Sequence, residues 1–282
     1  MKKVLIFFAI IFAVIAGLSL MMTYSHKISF GNKIALVKIT GIIVDSAVVI
    51  EELKEYGNDN SVKAVVLRVD SPGGAVAPSQ EIYEEVVKLK EKKKVIVSMG
   101  TVAASGGYYI SAPADKIVAN AGTLTGSIGV IMEIPNIAGL MQKIGVETQV
   151  IKSGDHKDMA SMFKALKPEE KQILQDVLDD VHRQFIKAVS DGRNMEFEAV
   201  RKLADGRIFT GKMAKEFGLI DELGNLQDAI MLAGRLAGIE GEPKVLEKKE
   251  KFGFFDLLKG EFTGKLMGNV FQGISLKYLM MP

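Results

Sequence analysis

The stretch that decides the fold is VIVSMGTVAASGGYYISA, residues 95–112. It begins with the β-branched run Val95-Ile96-Val97, which predicts a buried strand. The run breaks at Gly100 and passes through small residues to Ser105-Gly106-Gly107, after which an apolar segment predicts a helix up to Pro113. The first N–H groups of a helix lack partners within it, so Ser105 is placed as a nucleophile would be. A plain turn between strand and helix would explain the same residues.

Strand-like and helix-like segments alternate on both sides of this stretch. We predict strands at 34–39, 64–69, 116–119, 127–132, 148–152, 207–209 and 244–246. We predict helices at 48–56, 79–90 with Ser79 as a candidate cap, 135–144, 197–204, 211–217 and 227–237, and a long amphipathic helix from Pro168 onward. This alternation predicts an α/β domain with largely parallel strands.

Composition limits the possible functions. The chain has 282 residues, of which 48% are hydrophobic and 25% charged, enough for a full core. Its net charge of +2 gives no electrostatic footprint for nucleic acid. It contains no cysteine, so disulfides, thiolate chemistry and Cys-ligated metals are excluded. It also has no H-E-x-x-H motif or aspartate-rich calcium loop, and we expect neither a metal nor another cofactor.

The N-terminus carries a candidate membrane anchor. Lys2 and Lys3 precede an uncharged run over residues 4–24. At about 1.5 Å per residue this run can cross a hydrocarbon core of roughly 30 Å. The lysines favour a cytoplasmic N-terminus, so residues 1–27 would form a single-pass anchor and the rest would lie outside. A cleaved signal peptide ending near Ala16 is the alternative, although the apolar run continues well beyond that point.

A serine nucleophile needs a base, and the sequence offers few. His26 lies at the membrane boundary, and His182 lies within the long amphipathic helix, where a structural role is expected. His156 is the remaining candidate for a triad, and the neighbouring Lys157 is the alternative. An unperturbed lysine has a pKa near 10.4, which leaves roughly one side chain in 2,500 neutral at pH 7. Burial can lower that pKa by several units, so a lysine in an apolar pocket is a workable base.

A set of ordered motifs resembles the signal peptide peptidase A family, from about residue 33 to residue 237. Each motif alone would be weak evidence, whereas their order and spacing together are specific. Long members of that family carry two copies of the domain, and this chain resembles the one-copy form. The motifs are Asp70-Ser71-Pro72-Gly73-Gly74, Ala103-Ala104-Ser105-Gly106-Gly107-Tyr108-Tyr109-Ile110, Leu124-Thr125-Gly126-Ser127-Ile128-Gly129-Val130, Lys152-Ser153-Gly154 to Lys157-Asp158, Ala204-Asp205-Gly206-Arg207, Thr210-Gly211 and Gly218-Leu219-Ile220-Asp221.

The resemblance implies a role for individual residues. Ser105 matches the family's nucleophile and Lys157 its general base. Gly74 and Gly106 match the positions whose amides form the oxyanion hole, and Ser127 matches a serine that orients the lysine. The implied fold is the Clp-protease/crotonase type, a spiral of β-β-α units. Residues 28–240 would form this peptidase domain, and 241–282 a C-terminal extension of uncertain structure.

The implied function is that of a membrane-anchored serine endopeptidase with a Ser/Lys dyad, acting on remnant signal peptides after export. In two-copy members the serine and the lysine come from different copies, so we expect a homo-oligomeric ring in which neighbouring subunits share each site. A crotonase-like acyl-CoA enzyme and a non-catalytic membrane scaffold are the alternatives. The tail 252–282 is apolar and aromatic, which predicts contact with a membrane surface or a partner.

Overall fold

A mixed sheet of eight strands organises the residues that the computed structural model describes, which are 32–248 and 277–279. Six of its strands run in the order β7-β6-β4-β2-β1-β9, while β5 pairs with β4 and with β8. Every pairing is parallel except that of β6 with β7. The strands are β1 (Lys33–Thr40), β2 (Val62–Ser71), β4 (Lys94–Ala104), β5 (Lys116–Ala119), β6 (Leu124–Gly126), β7 (Ile208–Thr210), β8 (Glu222–Leu223) and β9 (Lys244–Glu247).

Two short strands form a separate ladder, in which β3 (Gly73–Ala75) pairs antiparallel with β10 (Lys277–Leu279). The helices of the described residues are α1 (Ala47–Asn58), α2 (Val76–Lys90), α3 (Gly106–Ser111), α4 (Ala138–Lys143), α5 (Pro168–Arg193), α6 (Phe197–Leu203), α7 (Gly211–Glu216) and α8 (Leu226–Leu236).

Both faces of the central strands are buried, which explains their continuous apolar runs. In β1, Ala35 and Val37 contribute to one core cluster, whereas Ile34 and Leu36 contribute to the other. The first cluster includes side chains of α1, α2, α3 and α5. The second is closed by α8, whose apolar stripe packs on β2 and β4. The sheet is therefore a middle layer between helices, as the predicted α/β class requires.

The pairing of β4 with β2 is irregular just before the strand end that leads to Ser105. The register with β2 pairs Val69 with Met99 and then Ser71 with Ala103, so β4 has extra residues between these pairs. Asp70 occupies the irregularity, because its Oδ1 accepts a hydrogen bond of 3.0 Å from the Val102 amide. A Cβ added at Gly100 would lie 2.6 Å from the Asp70 carboxyl carbon, so only glycine leaves room for this contact.

Most predicted elements are confirmed with shifted ends, and three are corrected. Residues 127–132 do not form a strand, because positive φ values at Gly126 (79°) and Ser127 (50°) turn the chain at the end of β6. Residues 148–152 do not form a strand either, since they are exposed and have no strand beside them in the described part of the chain. The helix predicted at 135–144 shortens to α4.

Ser79 is not a helix cap. Helix α2 begins three residues earlier, at Val76, and Ala75 occupies the cap position. The Ser79 hydroxyl instead donates a 2.8 Å hydrogen bond to the Ala75 carbonyl one turn back. This back-bonding is common for a serine inside a helix.

The predicted anchor, residues 1–27, lies outside the described residues. Of the helices in 32–248, none has the length and apolar character needed to cross a bilayer. Most of the predicted C-terminal extension, 241–282, also lies outside the described residues. Its two described strands pair with strands of the preceding part of the chain, because β9 extends the sheet beside β1 and β10 lies on β3.

Candidate active site

Ser105 lies in a strained turn between β4 and α3. Its φ of 51° and ψ of −118° are unusual for a residue with a side chain, and such a conformation costs about 1–3 kcal/mol. Its amide donates a 2.8 Å hydrogen bond to the Gly126 carbonyl, which ties the turn to the end of β6. The residue is only 1% exposed. Strain at a buried polar residue held by its surroundings is typical of a functional position.

Three glycines bring backbone amides together beside this turn. A Cβ added at Gly73 would lie 2.7 Å from the Gly106 amide nitrogen, and one added at Gly106 would lie 3.1 Å from the Gly74 nitrogen. Gly73 also has a φ of 103°, which favours glycine. Its amide is fixed by a 3.1 Å hydrogen bond to the Ser71 hydroxyl. Two amides this close together can stabilise an oxyanion if both donate to it.

Ser127 follows the strand that pairs with the end of β4, so it lies close to Ser105, and it lines a cavity. The pairing of Ala104 with Gly126 puts the two serines at adjacent strand ends. The Ser127 amide donates a 2.8 Å hydrogen bond to the Arg207 carbonyl, so β6 and the turn before β7 hold it in place. The cavity measures about 830 Å³, and Ser127, Val130, Gln175, His182 and Arg207 are among the residues that line it.

No hydrogen bond joins Lys157 to Ser105 within the described residues. It lies in an exposed turn, where its amide donates a 3.2 Å hydrogen bond to the Gly154 carbonyl. Within residues 32–248 and 277–279, its side chain makes no hydrogen bond or ion pair. The pairing of Ser105 with Lys157 therefore stays a prediction.

A chain of alternating charges holds the turn that carries Lys157. Lys152 Nζ lies 2.7 Å from Asp158 Oδ1, which in turn lies 3.1 Å from Lys164 Nζ, and Lys164 Nζ lies 2.6 Å from Glu170 Oε1. Hydrogen bonds from Lys152 and Lys164 lower the pKa of Asp158 to about 2. Glu170 is only 1% exposed and belongs to the first turn of α5. The loop is thus fixed to α5, a contact that the sequence analysis missed although the charges alternate every six residues.

The surroundings of His156 and His182 differ from those expected from the sequence. His156 is exposed, and its Nε2 lies 3.9 Å from Glu169 Oε1. His182, expected to be structural, lines the same cavity as Ser127. Its Nε2 is buried and has no hydrogen-bond partner in the described part of the chain. Of the two, His182 is therefore the histidine that lies near the site.

The segment around Lys157 exposes apolar side chains. Leu140 is 58% exposed, Ile144 62% and Ile151 fully exposed. Exposed apolar side chains concentrated in one segment are a common feature of surfaces that contact another protein or a membrane.

The C-terminal strand β10 lies directly over the glycines. Tyr278 is opposite Gly74, and Leu279 is opposite Gly73. A Cβ added at Gly73 would lie 1.9 Å from the Tyr278 carbonyl oxygen, and one added at Gly106 would lie 3.1 Å from it. This carbonyl oxygen therefore lies among the same backbone atoms as the Gly74 and Gly106 amides. The sequence analysis predicted a partner or a membrane for this tail, not the chain's own site.

Two family models match this chain. The model of peptidase family S49 matches residues 87–240, and the model of the Clp protease family matches residues 34–127. The first range includes Ser105, Ser127 and Lys157, and the second includes Gly74 and Gly106.

Three relatives are similar over most of this chain. A putative protease of Synechocystis sp. is 45% identical over 231 residues, which cover 81% of this chain and 83% of that protein. A putative protease of Methanocaldococcus jannaschii is 35% identical over 301 residues, covering 97% of this chain and 96% of that protein. A putative signal peptide peptidase SppA of Enterococcus faecium is 39% identical over 213 residues, covering 71% of this chain and 62% of that protein.

Proposed function

The chain belongs to peptidase family S49 and is a serine peptidase, and from this premise we propose that Ser105 is its nucleophile and Lys157 its general base. The observation that carries the proposal is the strained, buried turn of Ser105 beside the Gly74 and Gly106 amides. An acyl-CoA enzyme of the crotonase type would use paired amides without a serine. The peptidase relatives favour the serine chemistry.

The reaction follows from these groups. The neutral amine of Lys157 takes the proton of the Ser105 hydroxyl as its oxygen attacks the carbonyl carbon of the peptide. The Gly74 and Gly106 amides stabilise the oxyanion, each contributing on the order of 3 kcal/mol. The peptide nitrogen leaves with a proton, and water then hydrolyses the acyl-enzyme. Ser127 orients the lysine from the edge of the cavity.

The lysine of each working site comes from a neighbouring subunit. Three observations support this part of the proposal: Lys157 is exposed, the segment around it exposes apolar side chains, and the cavity beside Ser127 is open. A head-to-tail interface that closes into a ring would bury the apolar segment and bring Lys157 to the next subunit's Ser105. The fold of each subunit is the spiral of β-β-α units of the Clp-protease/crotonase type.

The substrates are remnant signal peptides, and the protein is anchored in the membrane by residues 1–27 with its catalytic domain outside the cytoplasm. The uncharged run over residues 4–24 supports the anchor. A relative described as a putative signal peptide peptidase supports the substrate class.

Changing Ser105 to alanine should abolish hydrolysis of an apolar peptide by the purified protein. The matched control is Ser111→Ala, because Ser111 is also buried but donates only within α3, at 2.6 Å to the Gly107 carbonyl. We expect the control to retain most of its activity. Hydrolysis that survives in a folded Ser105→Ala protein would remove Ser105 as the nucleophile.

Removing residues 1–27 should give a soluble, folded and active peptidase, because all the motifs lie beyond them. In cells, protease added outside intact spheroplasts should digest the C-terminal domain of the full chain. Protection of that domain until the membrane is permeabilised would show the opposite orientation.

A further inference from the structure

We propose that Glu170 and Lys164 are positioning residues for the general base: the buried Glu170, at the start of α5, binds Lys164 and thereby fixes the turn that presents Lys157 to the neighbouring subunit. This inference rests on the proposed function, because it takes Lys157 as the base and the Ser105 of the next subunit as the nucleophile. It adds the residues that determine where the lysine lies.

The burial of Glu170 is unusual for its place in the fold. Of residues 168–184, which form the first two thirds of α5, Glu170 is the only buried one. The other buried residues of this helix, Phe185, Ile186, Ala188 and Val189, lie in its last turns. Burying a carboxylate costs free energy unless the carboxylate is paired and hydrogen-bonded. The reason for its burial therefore has to be found in its partners.

The two carboxylate oxygens of Glu170 have separate partners. Oε2 accepts a 3.0 Å hydrogen bond from the Lys167 amide, as a glutamate at the third position of a helix commonly does. Oε1 lies 2.6 Å from Lys164 Nζ. The hydrogen bond between them lowers the pKa of Glu170 and raises that of Lys164, so both side chains stay charged near neutral pH. One oxygen thus caps α5, and the other binds the loop before it.

From Lys164 the contacts continue to both sides of Lys157. Asp158 Oδ1 lies 3.1 Å from Lys164 Nζ and 2.7 Å from Lys152 Nζ. Lys152 Nζ also donates a 2.7 Å hydrogen bond to the Asp155 carbonyl. The chain is therefore held two residues before Lys157 and again one residue after it.

The three lysines of residues 152–164 are treated differently. Lys152 and Lys164 bind acidic side chains, whereas Lys157 has no such partner in the described part of the chain. The Glu170 side chain is 2% exposed and that of Asp158 15% exposed. Salt screens such partly buried pairs less than it screens pairs on an open surface. The network therefore holds the turn and leaves the Lys157 amine for another group.

Helix α5 connects this turn to the rest of the site. The Phe185 ring is buried and packs on Tyr109 of α3, the helix that follows Ser105, with centroids 5.0 Å apart. Gln175 and His182 of the same helix line the cavity beside Ser127. A general base must come within about 3 Å of the proton it takes, and a misplacement of about 1 Å can cost on the order of 10²-fold in rate. Loosening the turn from α5 should therefore lower the rate of the chemical step.

The test compares two neighbouring glutamates. Glu170→Gln keeps the shape of the side chain and an oxygen that can accept from the Lys167 amide, but it removes the charge that binds Lys164. Glu169→Gln is the matched control, because the Glu169 side chain is 77% exposed and lies only loosely beside His156, at 3.9 Å. We expect Glu170→Gln to lower kcat at least tenfold with KM changed less than twofold, and the control to stay within twofold in both. Thermal melting would confirm that both variants are folded.

Mixed rings show which subunit needs Glu170. Each intact site takes its lysine from a Ser105→Ala subunit and its serine from a Lys157→Ala subunit. Adding Glu170→Gln to the Ser105→Ala subunit should lower the activity of the mixture at least tenfold, whereas adding it to the Lys157→Ala subunit should change the activity less than twofold. An equal loss in both mixtures would show a general effect on the fold and would overturn the inference while the proposed function stands.

Hydrogen exchange tests the same contact without catalysis. The amides of Lys157, Met159 and Ser161 donate to carbonyls within the turn, at 3.2, 3.1 and 3.0 Å. We expect them to exchange at least tenfold faster in Glu170→Gln than in Glu169→Gln, followed by mass spectrometry. If no mixture is active but exchange rises in this way, the proposed function fails and the hold of Glu170 on the turn stands. Unchanged exchange overturns the inference in either case.

Discussion

Lys157→Arg should abolish peptide hydrolysis, with kcat/KM falling by at least about 10³-fold, within the range that general-base catalysis contributes. Arginine keeps the positive charge and most of the length of the side chain, but it does not give up its proton near neutral pH. It therefore cannot accept the proton of the Ser105 hydroxyl. The measurement is the initial rate on a fluorogenic apolar peptide between pH 7 and pH 9, with the oligomeric state verified by mass.

The controls are His156→Ala and His182→Ala. His156 is exposed and pairs loosely with Glu169, so its loss should leave activity nearly unchanged. His182 lines the cavity beside Ser127, and its loss should lower activity much less than Lys157→Arg does. If a folded Lys157→Arg protein still hydrolyses the peptide and one of the histidine variants is inactive, the general base is that histidine and not Lys157.

Local patterns in the sequence predicted the central part of the fold. Strands β1, β2 and β4 are buried on both faces, so their apolar runs are long and leave little ambiguity. The small residues before Ser105 correctly predicted a strand that delivers the serine to a helix, although β4 continues through Gly100 to Ala104 and does not break there. These features depend on residues close together in the chain, which a sequence displays directly.

The predicted strands that the structure does not contain depend on contacts with distant parts of the chain, which the sequence does not display. The residues at 148–152 include the β-branched Thr148, Val150 and Ile151, but a strand also needs a neighbour, and these side chains lie exposed. Ser127 adopts a positive φ that glycine would have signalled and serine does not. Its conformation comes from the hydrogen bond with Arg207, which is far away in sequence.

The features of the site also differ in whether the sequence could predict them. The order of motifs along the sequence is enough to indicate Ser105, Gly74, Gly106, Ser127 and Lys157 as candidates. It does not indicate that Tyr278 lies over Gly74, because antiparallel pairing of β10 with β3 joins distant parts of the chain. An apolar, aromatic tail is typical of a surface for a partner, whereas its described residues, 277–279, pair with β3 of the same chain.

The second prediction with a large effect is that two inactive variants recover activity when they assemble together. Ser105→Ala and Lys157→Ala subunits should each be inactive alone. Coassembled in equal amounts, they should form intact pairs at about a quarter of the sites if assembly is random and the pair spans a head-to-tail interface. Each intact site takes Ser105 from a Lys157→Ala subunit and Lys157 from a Ser105→Ala neighbour. Native mass spectrometry would confirm that the rings are mixed.

This complementation is the most direct measurement of the central claim, that Ser105 of one subunit and Lys157 of its neighbour act as one catalytic pair. The account predicts that hydrolysis by the mixed rings reaches roughly a quarter of the wild-type rate per site and disappears when the two proteins are kept separate. If verified mixed rings remain as inactive as their components, the two residues are not shared between subunits, and the account is contradicted.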